Sequence, residues 1–89
     1  NRLAGTDSYL LLLKLGGLSG GGDERFFNFC RNHPQVSRVA RIQAEWDLEI
    51  DVDVDSVCQL NEVIHQIYKF GKGSVREVMI HSWGQEYKI

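Results

Sequence analysis

Residues 47–62 read DLEIDVDVDSVCQLNE. Two structures compete for this stretch. Asp51, Asp53 and Asp55 followed by Glu62 approach the ligand spacing of a calcium-binding helix–loop–helix, D-x-D/N-x-D/N-G-x5-E. The same residues also alternate strictly between aliphatic and acidic. Leu48, Ile50, Val52 and Val54 then fall on one side, which is the period of a half-buried strand. Residue chemistry separates the two. Ser56 stands where the calcium loop needs glycine for its sharp turn. Val52 and Val54 are β-branched and suit a pleated strand better than a tight loop. The alternation starts before the motif, at Asp47 and Glu49. Ser56 with Gln59 also fits the capping box S-x-x-Q that opens a helix. The stretch therefore predicts a strand over 47–55 running into a capped helix, and no metal site.

The helix continues the argument. Leu60, Val63, Ile64 and Ile67 mark one apolar face at i, i+3, i+4 and i+7. Lys69 and Lys72 favour its negative end, and Gly71 or Gly73 can close it. Beyond it, VREVMIHSW (75–83) reads as a last strand. Upstream, VSRVARIQA (36–44) reads as another. Before that, Asp23 is a good N-cap with Glu24 in the first turn. Phe26, Phe27 and Cys30 follow at helical spacing, and His33-Pro34 ends that helix. Residues 8–15, SYLLLLKL, are apolar and short. Periodicity does not separate strand from helix there, but the length and the Gly16-Gly17 stop favour a strand. GGLSGGG (16–22) matches neither G-x-G-x-x-G nor G-x-x-x-x-G-K-S/T and reads as a flexible connection.

The order strand, helix, strand, strand, helix, strand defines the fold class. It is α+β: a ferredoxin-like βαββαβ domain, with a four-stranded antiparallel sheet and two helices on one face. The first and third strands are central. The first strand is apolar on both sides, with Leu10 and Leu12 pointing one way and Tyr9, Leu11, Leu13 and Leu15 the other. A strand of that kind expects cover on both faces. The helices cover one, and a second copy is the simplest cover for the other. The expected dimer contacts are Tyr9, Leu11 and Leu13, with Met79 and His81 of the last strand.

Composition excludes several classes. The 89 residues make one small domain with a single modest core, with 1–7 as a linker remnant and 8–89 as the domain. A net charge of −2 gives no reason to expect nucleic-acid binding. The longest apolar run, Tyr9 to Leu13, is far short of the ~20 residues of a membrane span. There is no signal-peptide pattern. The chain opens on Asn, as a fragment or processed form would. Two cysteines do not make a disulfide scaffold, so a reducing cytoplasm is expected. Cys30-x-x-His33, and Cys58 with His65, lack the paired ligand spacing of structural zinc. Antiparallel helices would bring Cys30 and Cys58 toward one another, which leaves a disulfide open on oxidation. The glycine loop calls for no cofactor. No nucleophile–base set is spaced for catalysis, so the chain does not read as an enzyme.

Residues 34–89 resemble the C-terminal effector domain of the Lrp/AsnC transcriptional regulators. That domain carries P-x-V, a strand, a turn G-x-Y/F/W-D, an outgoing strand, a helix, and G-x-V opening the last strand. The counterparts here are Pro34-Gln35-Val36, Ala44-Glu45-Trp46-Asp47 and Gly73-Ser74-Val75, and the terminal EYKI resembles the family's ends. The resemblance implies a homodimer formed sheet face to sheet face, and octamers of such dimers. It implies an amino acid or related small effector bound at contacts between dimers, near the turn Ala44, Glu45, Trp46 and Asp47. It places the DNA-binding helix-turn-helix outside this chain, either cut away or never present. Ala44 departs from the pattern, where glycine is usual. Two other readings remain. An ACT-like amino-acid-binding module of an enzyme has the same strand order but pairs its sheets side by side. A siroheme-decarboxylase-like domain is a weaker match, because no histidine fits its pattern.

Overall fold

A computed structural model describes residues 7–17, 22–82 and, for backbone only, 85–88. The expected linker 1–7 lies outside these residues except for Asp7, which already belongs to a strand. The elements are β1 (Asp7–Leu15), α1 (Gly22–Arg31), β2 (Val36–Arg41), β3 (Leu48–Val54), α2 (Val57–Gly71), β4 (Val75–Ser82) and β5 (Gln85–Lys88). The sheet order is β2-β3-β1-β4-β5, antiparallel throughout. Its first four strands with the two helices form the ferredoxin-like α+β layout, with β1 and β3 inside.

The opening stretch is a strand and then a helix. Leu48, Ile50, Val52 and Val54 are all buried and the acids between them are not. Ser56 caps α2: its Oγ accepts the Gln59 N–H at 3.1 Å. The Gln59 side chain reaches one residue further back than a capping box requires, and Oε1 accepts the Asp55 N–H at 2.8 Å. Lys72 ends the helix in the left-handed region at φ 50, and its N–H donates to the Tyr68 carbonyl. Gly71 has to be small: a Cβ there would lie 2.8 Å from Val75 and 3.3 Å from Phe26. Helix α1 starts two residues earlier than an Asp23 cap would place it. Asp23 sits in its first turn instead of capping it.

The core lies between the helices and one sheet face. Leu11 and Leu13 of β1 join the β3 aliphatics, Val75, Val78 and Ile80 of β4, Phe26 and Cys30 of α1, and the apolar face of α2. Each fully buried side chain of this size is worth about 1.5–3 kcal/mol of transfer free energy. This corrects the expected dimer contacts. Leu11 and Leu13 are 0% exposed within one chain, and Tyr9 packs against the same core. The pairing sets the parity. Tyr9, Leu11 and Leu13 stand opposite Val52, Ile50 and Leu48, the face that α2 covers. Leu10 and Leu12 look the other way, as do Met79 and His81, their partners on β4.

Two irregularities keep apolar residues on the core side. The β1–β4 register shifts between Lys14 and Leu15, so Val75 and Val78 share the core face although three residues apart. The β2–β3 register shifts between Val36 and Arg38, which does the same for Val36 and Val39. The fifth strand was not expected. Gln85–Lys88 pairs with β4 out to Met79↔Lys88. Trp83, counted in the last strand by sequence, lies outside the described residues.

Candidate functional site

The four residues singled out by sequence form the turn between β2 and β3. β2 stops at Arg41, three residues sooner than expected, and the chain reverses over 42–47. The Ile42 N–H donates to the Asp47 carbonyl at 3.0 Å. The Asp47 N–H donates to the Leu13 carbonyl at 2.8 Å, and Asp47 Oδ2 accepts the Leu15 N–H at 2.7 Å. Asp47 therefore ties the turn to the end of β1. Trp46 is half-buried, with the Lys14 ammonium 5.4 Å from its ring centroid. Lys14 also lies 3.9 Å from Glu77 of β4. Ala44 and Glu45 are exposed. Among the described residues, Lys72 is the sole non-glycine with positive φ, so Ala44 sits in an ordinary backbone region and carries no strain.

Arg41 forms the wall of this corner. Its two terminal nitrogens reach Asp23 at 3.0 Å and Glu24 at 3.1 Å in the first turn of α1. Its guanidinium lies 4.3 Å from the Phe27 ring. These groups are solvent-exposed, so the pairs position the residues more than they stabilise the fold. Between the turn, the end of β1 and the start of α1 is a shallow recess lined by Leu15, Gly16, Asp23, Arg41, Gln43 and Asp47. It offers a guanidinium and two carboxylates within one corner. That polarity suits a small zwitterion, although Arg41 is held by Asp23 and Glu24, and Asp47 by Leu15.

The helix-free sheet face is the second feature. Leu10 and Leu12 run down its middle. Asp51 and Glu49 of β3 lie opposite them on one side, and His81 and Met79 of β4 on the other. Leu10, Leu12 and Met79 are only half-buried in the single chain. The acids of this face are partly answered from within. Arg38 of edge strand β2 reaches Asp51 and Glu49, both at 2.7 Å. Those hydrogen bonds, Glu49 first and then Asp51, hold the guanidinium pKa above its ordinary value. Ser8 Oγ donates to Asp53 Oδ1 at 2.6 Å. These acids are thus answered by an arginine of the same chain. The signal was available in the i, i+2 acids facing an arginine one strand away, and needed only the register.

Among the described residues, no group of three or more His, Cys, Asp or Glu is arranged to hold a metal. Asp51 and Asp53 are committed to β3, while Asp55 lies beyond it. Cys30 is buried and Cys58 exposed, both as free thiols. No described helix is long and apolar enough to cross a membrane.

This arrangement has solved counterparts. An AsnC family transcriptional regulator from Agrobacterium tumefaciens superposes with a TM-score of 0.77 over 100% of this chain and 62% of its own, at 16% identity. The chain has the fold of the AsnC-type regulators. LrpC of B. subtilis matches at TM-score 0.68 and 14% identity, over 91% of this chain and 52% of its own. FFRP-DM1 matches at TM-score 0.66 and 17% identity, and is itself 95% covered, with 84% of this chain. The chain thus spans less than two thirds of the Agrobacterium and B. subtilis regulators and nearly all of FFRP-DM1. No family model matches the sequence, and no curated protein does.

Proposed function

We propose that this chain is the self-associating, effector-sensing part of a cytoplasmic transcription regulator of the Lrp/AsnC type. The observation that carries the reading is the fold shared with the Agrobacterium regulator along the whole chain. The sheet supports it. Leu10, Leu12 and Met79 form an apolar stripe that no part of the described chain covers, and a twofold pairing of this face would bury it. Met79 and His81 keep their place in that interface. Leu10 and Leu12 take the one first given to Leu11 and Leu13.

The effector, an amino acid or a close relative, belongs at the turn Ala44–Asp47 where two dimers meet. Arg41 is the natural partner for its carboxylate, and Asp23 or Asp47 for its ammonium. Binding there exchanges ion pairs within the chain for pairs with the ligand. Assembly and ligand are thereby linked: a small molecule that bridges two copies stabilises the larger assembly by mass action.

Thermal-shift measurements against the proteinogenic amino acids, read together with the mass in solution, test this. A dimer or larger species, stabilised by at least one amino acid, is expected. A monomer would sink the reading. A dimer stabilised by none would reduce it to an assembly domain. Sheets paired side by side would favour an ACT-like module instead.

A further inference from the structure

Phe70, near the end of α2, is 43% exposed and, with Val57, one of two exposed large apolar side chains among the described residues. It is held in place. It stacks on Phe29 of α1 with centroids 4.1 Å apart and planes 4° from parallel, and meets Phe26 at 6.3 Å. His33 packs edge-on against Phe29 at 6.1 Å. The His33 ring is itself fixed. Nδ1 accepts the Gln35 N–H at 3.2 Å, which leaves Nε2 to donate to Gln66 Oε1 at 2.5 Å. The outer side of the helices therefore carries a rigid aromatic shelf, shaped before any partner arrives.

Three shallow recesses meet at Phe70. Of the fully charged residues that line them, Arg25, Lys69 and Lys72, all are basic and none is a carboxylate. This occurs in a chain with 12 acidic and 10 basic residues. Lys14, Arg38 and Arg41 are all paired with carboxylates. Arg25, Lys69 and Lys72 have no ion pair among the described residues. Unanswered charge of one sign thus rings exposed aromatic surface, on the face opposite the acidic sheet.

We propose that this shelf docks an acidic segment of a partner protein, which sets an aromatic or aliphatic side chain on Phe70 and carboxylates toward Arg25, Lys69 and Lys72. The chemistry favours this occupant over others. Three cations are few for a nucleic-acid face, where phosphate contacts dominate. The recesses are open, whereas small-molecule sites enclose most of their ligand. An apolar anchor with a charged surround is the usual layout of a protein-binding patch.

Selection of a random peptide display library on the intact chain tests the proposal, with counter-selection on Phe70→Ala. Enriched peptides are expected to combine acidic residues with an aromatic or aliphatic one. Their affinity should fall about tenfold or more, some 1.4 kcal/mol, in Phe70→Ala. It should fall similarly in the exposed charge reversals Arg25→Glu and Lys69→Glu, which leave the stacked rings untouched. Circular dichroism confirms that each variant is folded. No enrichment, peptides without acidic residues, or equal binding to the charge reversals would overturn it. So would tighter binding of a thymidine oligonucleotide than of the peptides. A drop in solution mass in Phe70→Ala would assign the shelf to a second copy and also overturn it.

Discussion

The Asp47 carboxylate accepts the Leu15 N–H at 2.7 Å while the Asp47 N–H donates to the Leu13 carbonyl at 2.8 Å. One residue thus answers two positions of β1 at the point where β3 leaves the ladder. The side chain stands in for the carbonyl that a longer strand would have supplied. Asp47→Ala should cost about 1 kcal/mol, or roughly 4–8 °C in melting temperature for a domain of this size. Asp47→Asn keeps an acceptor and should recover most of it. Melting of the ligand-free variants measures this. An alanine variant as stable as the parent would mean that Asp47 serves ligand alone.

The parity of β1 makes a paired prediction. Leu12→Lys places a charge in the exposed stripe and should reduce the solution mass to that of a monomer while the chain stays folded. Leu13→Ala empties a fully buried position and should cost about 2–5 kcal/mol with no direct effect on pairing. Sedimentation and urea unfolding of both variants separate the faces. The opposite pattern would restore the odd-numbered residues to the interface.

That parity marks how far the sequence reaches. The β3 alternation named its own buried face because acids cannot share it. β1 is aliphatic on both sides, so nothing in its composition says which side the helices take. Only the pairing Leu11↔Ile50 does. Likewise β5 shows no alternation around Tyr87, and its pairing with β4 is a tertiary event. The turn was found by its residues, but its anchoring was not. The bond from Leu15 to Asp47 spans 32 positions, and Arg41 meets α1 18 positions away, beyond the reach of local pattern.

Ser56→Gly would complete the calcium motif on paper. We expect no calcium binding from it, because Asp51 and Asp53 remain on a pleated strand, with Asp51 already held by Arg38 at 2.7 Å. The helix should lose only a few tenths of a kcal/mol, since glycine is itself a tolerated N-cap, whereas Ser56→Ala should lose about 1 kcal/mol. Calorimetric titration with calcium and thermal melting give the two readouts. Saturable micromolar binding would show that the strand yields to the loop.

The two thiols should behave as opposites. Cys58 is exposed and should react with a disulfide reagent in the folded protein. Burial raises the Cys30 pKa from the ordinary 9.0 to about 12, so the reactive thiolate is scarce and shielded until the chain opens. Native titration should give one fast thiol, and denaturant should release the second. The same shift makes stability depend on pH, with a definite sign. The folded state keeps its proton where the unfolded state has lost it. The contribution is therefore fully present below pH 9 and declines as pH rises toward the folded value of about 12. By pH 11, two units above the ordinary value, about 3 kcal/mol of it has been lost, at roughly 1.4 kcal/mol per unit. Urea unfolding at pH 8 and 11 should show a steeper loss in the parent than in Cys30→Ala, whose slope comes from the remaining groups alone. Equal slopes would mean that the Cys30 thiol ionises as freely in the fold as outside it.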